Sequence, residues 1–357
     1  MHDRFEEFIF ADGELHAPDA AGLAHHLPAH LKVVRLAEVS IGVGQSWDVS
    51  SSHSAWSGLH FREELYVHVR IDRLIVAPGS KIEVHGNILV LECGEIHMRG
   101  HESGSGWRAA DGFEICILPT RYPAYSQLRS TPGLDGARGI HGANGRHSKA
   151  TKVIGTPFGP RLLAFSSDLD GAPGADGTDG AMGTTGQNGG MSMLADIRIG
   201  VLTGFQPGSL RVFAQAGPGM PGGSGGTGGN GGAGGNGADG IDRLDGIVRG
   251  GPGGRGGNGG NGGNGGRGGS GGLSANVFIQ VRAADADCID LCSMDSVGGP
   301  GGAGGSAGAH GGPGTSGVMA DETATTALLP GVTGRPGITG LSGKPRSGPA
   351  IHLFTEP

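Results

Sequence analysis

Residues 222–240 read GGSGGTGGNGGAGGNGADG, and residues 250–272 read GGPGGRGGNGGNGGNGGRGGSGG. In most of both stretches glycine fills two of every three positions, and the third is mostly small or polar. That period is neither the two of a strand nor the 3.6 of an α-helix. The extended left-handed helix has three residues per turn and a rise of about 3.1 Å, so every third residue faces one way. A glycine column on it is a bare strip of backbone against which another backbone can lie. Such a helix has no internal hydrogen bonds, so its N–H and C=O groups need partners on neighbouring segments.

Working outward, the same step recurs four more times. Run 1 is Gly133–Gly145, run 2 Gly171–Gly189, run 3 Gly217–Gly240, run 4 Gly250–Gly272, run 5 Gly299–Gly317 and run 6 Gly331–Gly343. A collagen triple helix asks for far more proline than these runs hold. A flexible linker is the plain alternative. A strict phase kept through several runs favours an intramolecular bundle of polyglycine-II helices, because a linker needs no phase. Runs 3 and 4 carry two glycine columns and suit the middle of such a bundle. Runs 1, 2 and 6 carry one and suit its edge. Run 1 has an apolar column (Leu134, Ala137, Ile140, Ala143), and run 6 has Val332, Ile338 and Leu341; these stripes are expected to cover each other or to pack on the N-terminal module.

The chain has 357 residues and 78 glycines, of which 66 lie in 133–357. The aromatics divide the other way, with 11 of 17 placed by Tyr125. Two modules are implied: a β-rich part at 1–132 able to build an ordinary core, and a Gly-rich part at 133–357 held by something other than large side chains. The net charge of −7 argues against a nucleic-acid partner. No apolar run of about 18 residues is present, so membrane insertion is not expected. The N-terminus MHDRFEEFIF has neither a basic start nor a long apolar stretch, so no Sec-type signal is read there. The expected setting is a virion or the extracellular space, with the cytoplasm left open.

Short connections make consecutive runs antiparallel. The links at 113–130, 191–216, 273–297 and 349–357 then fall at one end, the base. They read as strands, for example ADIRIGVLTGF and SANVFIQVR. The links at 146–170, 241–249 and 318–330 fall at the other end, the tip. In the N-terminal part, ELYVHVRIDRLIV alternates, and a turn is expected at Gly86-Asn87, in keeping with a sandwich or solenoid. The expected fold is mostly β and irregular: an N-terminal β module, then an antiparallel bundle of six polyglycine-II helices with a β-strand base.

Catalytic chemistry finds no foothold. Gly222–Gly226 matches G-x-S-x-G, but low complexity generates that match and the strand-turn-helix context it needs is missing. The G-x-G-x-x-G matches lack a βαβ unit. Cys93, Cys116, Cys288 and Cys292 lack close zinc spacing and read first as free buried thiols. If 285–295 is a strand, Cys288, Asp290 and Cys292 share a face. His25, His26 and His30 approach an i, i+4 metal pattern, but Pro28 interrupts the helix it needs. No enzyme activity, cofactor or metal is therefore expected. Recognition on loops carried by a rigid scaffold is the better reading. The tip residues it selects are Arg146, His147, Lys149, Phe158, Arg161, Phe165, Asp242, Arg243, Asp245, Arg249, Asp321, Glu322 and Thr323.

The Gly-Gly-X runs at 222–240 and 250–272 resemble the glycine-rich motifs of distal tail-fibre adhesins of T-even-type bacteriophages. The resemblance implies packed polyglycine-II helices, tip loops that grip a cell-surface glycan or an outer-membrane protein, and an N-terminal module that attaches to a fibre or assembly. The same tracts are similar, more weakly, to snow-flea antifreeze protein, which implies an ice-binding face. A third reading is a structural subunit that polymerises through its β base, and a homo-oligomer stays open.

Overall fold

A computed structural model describes residues 4–10, 29–50, 66–99, 112–120, 132–149, 153–162, 169–240, 249–318 and 329–357. Fourteen strands follow in chain order. They are β1 (Arg4–Phe10), β2 (Ala29–Ile41), β3 (Ser46–Asp48), β4 (Tyr66–Val76), β5 (Lys81–His85), β6 (Ile88–Met98) and β7 (Phe113–Leu118). Then come β8 (Val153–Thr156), β9 (Gly159–Leu162), β10 (Ala195–Thr203), β11 (Leu210–Gln215), β12 (Val277–Arg282), β13 (Ile289–Met294) and β14 (Ile351–Glu356). A seven-stranded sheet has the order β1-β2-β4-β6-β10-β12-β14, and a five-stranded sheet has β13-β11-β7-β5-β3. Every pairing in them is parallel except β1 with β2.

The chain alternates between the two sheets. β4 gives way to β5 through a turn at Gly79, and β10 to β11 through Gly204 and Gly208, all three at positive φ. From β5 back to β6 only Gly86-Asn87 intervene, with Gly86 at φ 65 and its missing Cβ 2.3 Å from Thr120 Oγ1. Because each return enters the first sheet from the same side, neighbouring strands run the same way. The inward faces meet in one core. Leu74, Leu89, Leu91 and Ile96 of the large sheet oppose Ile82, Ile115, Leu210 and Val212 of the small one, all essentially inaccessible. Each such side chain contributes about 1.5–3 kcal/mol by leaving water.

The expected architecture of a β module followed by a bundle of six polyglycine-II helices is corrected here. The protein is built mainly on parallel β-sheets, and strands from before and after residue 133 lie in the same two sheets. Among the described residues the only helix is the 3-10 turn Ala283–Cys288, and the Gly-rich runs are assigned neither helix nor strand. A period of three marks where side chains are absent. It carries no information on which sheet the flanking segments join, and that membership sets the fold. The 3-10 turn also removes Cys288 from the strand face expected to hold it with Asp290 and Cys292.

The runs are three excursions from the sheets. Runs 1 and 2 connect β7 to β10, runs 3 and 4 connect β11 to β12, and runs 5 and 6 connect β13 to β14. Outgoing runs leave neighbouring strands of the small sheet, and returning runs enter neighbouring strands of the large one. The runs thus continue the sheets as a two-layered slab. Adjacent strands are about 4.8 Å apart, and at that spacing no side chain fits between backbones. A Cβ on Gly225 would lie 1.9 Å from the Gly263 carbonyl oxygen, and one on Gly260 2.0 Å from that of Thr178.

Lateral hydrogen bonds join the runs. Runs 1 and 3 are parallel (Gly136 N–H to Ser224 O, 2.7 Å), as are runs 2 and 4 (Gly177 N–H to Asn258 O, 2.8 Å). Consecutive runs are antiparallel, as in Gly226 N–H to Ala181 O at 2.8 Å and Gly257 N–H to Gly232 O at 2.8 Å. Runs 3 and 4, with two bare columns each, bond to four other runs; runs 1 and 6 bond to two. The apolar stripes of runs 1 and 6 therefore sit on opposite flanks. They do not cover each other: Leu134 and Ile140 are 74% exposed and Ile338 is 73% exposed.

Candidate binding surface at the free end

One triplet shows what holds the slab. The Gly259 N–H donates to Val332 O of run 6, and the Gly260 N–H to Gly229 O of run 3, each at 2.8 Å. The Asn261 N–H faces out of the layer and donates to Asp179 Oδ1 of run 2 at 2.6 Å. Three donors thus reach three different runs. The third needs a side-chain acceptor because no backbone lies outside the layer. Polar side chains in the non-glycine columns supply it. Asp135, His141, Asn144 and His147 serve run 3, and Asn258, Asn261 and Asn264 serve run 6.

This bonding orients the tip. Run 1 ends and run 2 begins at the end of the slab away from the sheets, where Ala172 N–H donates to Arg146 O at 2.9 Å. His147 lies there too, but its Nδ1 accepts the Asn236 N–H at 2.9 Å, so it is a structural acceptor. Arg146, Lys149 and Arg249 are exposed. Between runs 1 and 2 stands a hairpin of β8 and β9, with Thr156 paired to Gly159. Pro157 presets the backbone torsion of the turn, Thr156 Oγ1 donates to Gly159 O at 2.6 Å, and Gly159 takes φ 107. Phe158 is left at the turn, 93% exposed. Arg161 lies on β9 opposite Ile154. Phe165, Asp242, Arg243, Asp245, Asp321, Glu322 and Thr323 lie outside the described residues, as do His25 and His26.

Elsewhere charge and thiols are tied into the sheets. Across the small sheet Lys81, Glu114, Arg211 and Asp290 stand opposite one another in turn, and Arg211 Nε is 2.9 Å from Asp290 Oδ2. All four cysteines are free. Burial pushes the Cys93 and Cys116 thiols up to about 12, and burial also raises Cys288. A raised value disfavours the thiolate, the form that acts as a nucleophile, at these three positions. No group of three or more His, Cys, Asp or Glu positioned for a metal occurs among the described residues.

No family model and no curated protein matches the chain. Among solved structures, the springtail antifreeze protein of Granisotoma rainieri, described as a nine polyproline type II helical bundle, aligns at 24% identity over 59% of this chain and 97% of that one. The TM-score is 0.09. The likeness to tail-fibre adhesins thus rests on the Gly-rich runs alone.

Proposed function

We propose that the protein is a non-enzymatic binding protein that engages a cell-surface receptor, a glycan or an outer-membrane protein, through the free end of the slab. The observation that carries this reading is Phe158, an aromatic ring held almost fully in solvent at the turn of a hairpin, in the link of the chain that also holds the exposed Arg146 and Lys149. Aromatic and Arg side chains dominate binding energetics when a partner desolvates them. The paired strands β8 and β9 hold the turn that carries the ring, which lowers the ordering cost of association. The test is fluorescence-detected binding of the labelled protein to a panel of intact bacterial cells. Phe158→Ala is expected to lower the signal about tenfold at unchanged melting temperature, a loss of about 1.4 kcal/mol. Undiminished binding would remove the tip from the account.

A second reading, a subunit that assembles edge to edge, is favoured by β13. It is the last strand of the small sheet, with Leu291 and Met294 exposed, and an open apolar edge templates pairing with another chain. Sedimentation velocity separates the two: concentration-dependent filaments support assembly, and a monomer at all concentrations removes it.

A further inference from the structure

The outer face of the large sheet carries a trough that crosses the strands. It begins in a bend shared by four strands. Leu36 pairs with Ile71 and Ile71 with Cys93, and pairing resumes at Glu38–Arg73 and Arg73–Glu95. β10 repeats the step between Ile199 and Val201. The skipped positions are Ala37, Asp72, Gly94 and Gly200. At the last two a side chain is forbidden: a Cβ on Gly94 would lie 2.6 Å from Asp72 O, and one on Gly200 2.4 Å from Gly94 O. The floor is bare backbone, and a groove of about 410 Å³ opens over it, spanning β4 to β14. Four strand spacings make it about 19 Å long.

One wall is a single ladder: Arg70, Glu92, Arg198 and Gln280 stand opposite one another on successive strands, and the β14 end is lined by Glu356, with Phe354 opposite Gln280 just beyond the lining. Arg198 pairs with Asp196 at 2.7 Å and approaches Glu92 at 4.0 Å, and Gln280 donates to Glu356. Arg70 is exposed and pairs with no acid among the described residues. Adjoining the β14 end of the groove is an aromatic group on the same sheet, with Phe278 stacked against His352 at 5.3 Å and against Phe354 at 6.4 Å.

We infer that this trough binds a neutral oligosaccharide. The side chains along the wall supply the charged and amide groups that would read a ligand. Bases and acids alternate along the wall, so a polyanion would meet Glu92, Glu356 and Asp72 as often as arginine. A sugar hydroxyl both donates and accepts and satisfies Arg, Glu and Gln in turn. The apolar face of a pyranose ring suits the exposed face of Phe354.

The test is calorimetric titration of the full chain with cellohexaose, laminarihexaose, maltohexaose, mannohexaose and chitohexaose, and with hexagalacturonate as the anionic arm. At least one neutral hexasaccharide is expected to bind. Arg70→Ala and Phe354→Ala are each expected to weaken it about tenfold at unchanged melting temperature. Phe158→Ala should leave it unchanged, which keeps this site distinct from the tip. Absence of binding by all five neutral sugars, equal binding by both trough variants, or binding of hexagalacturonate alone would overturn the inference.

Discussion

The Asn258 N–H donates to Asp176 Oδ1 at 2.6 Å, while Asn258 Oδ1 accepts the Val332 N–H at 2.8 Å. One side chain thus hands the outward donor of each run to the next, from run 2 through run 4 to run 6. A net hydrogen bond of this kind is worth about 1 kcal/mol, toward the lower end where solvent competes. Asp176→Ala and Asn258→Ala are each expected to cost about 0.5–1 kcal/mol in urea unfolding. Both variants also remove the bond from Asn258 Nδ2 to Asp176 Oδ2 at 3.3 Å, so the double variant is expected to cost less than the sum of the two. No loss in either variant would mean that water replaces the relay freely.

Close approach of backbones makes a sharper demand. The Cβ of Gly260→Ala would lie 2.0 Å from the Thr178 carbonyl oxygen, whereas that of Gly312→Ala meets nothing within 4 Å. The first clash is with backbone fixed from both sides. Gly260→Ala is expected to cost about 3 kcal/mol or more, and Gly312→Ala to stay within about 0.5 kcal/mol. Equal stability of the two variants, read from their unfolding midpoints, would contradict the packing described.

The buried thiols fix the alkaline limb of stability. Cys93 and Cys116 rise from an ordinary 9.0 to about 12 because burial disfavours the thiolate. Above pH 9 the folded state holds protons that the unfolded state has lost, so stability falls as pH rises from about 9 toward 12. Lys81, raised by its hydrogen bond to Glu83, adds to the decline. Cys93→Ala with Cys116→Ala should flatten the part due to the thiols, seen in urea midpoints between pH 8.5 and 10.5. The native thiols should also resist iodoacetamide at pH 8 and react after unfolding.

Parts of this were legible in the sequence, for physical reasons. The triplet period of 222–240 and 250–272 reports that backbones must meet at a spacing that excludes Cβ, and that constraint leaves its mark at every third residue. The turn at Gly86-Asn87 was equally plain, because its geometry selects glycine locally. Sheet membership was not. β7 and β11 are neighbours, yet the chain between them holds β8, β9, β10 and two runs, and no local pattern encodes a pairing across that distance. The Asn columns read as a polar edge; their role as acceptors appears only once the neighbouring run is in place. His147 shows the same thing at the tip, where a candidate for recognition is committed to Asn236. Gly94 and Gly200 stand alone in strands and gave no hint of an aligned bend, because each makes sense only beside the other.

Backbone hydrogen bonds from run to run hold the Gly-rich slab together. Amide hydrogen exchange across residues 253–269 tests it most directly. Protection is expected at Gly257, Gly260 and Gly263, whose N–H groups bond to run 3 at 2.8 Å, with weaker protection at the outward amides of Asn258 and Asn261. Exchange of the whole stretch at the rate of an unstructured chain would contradict it.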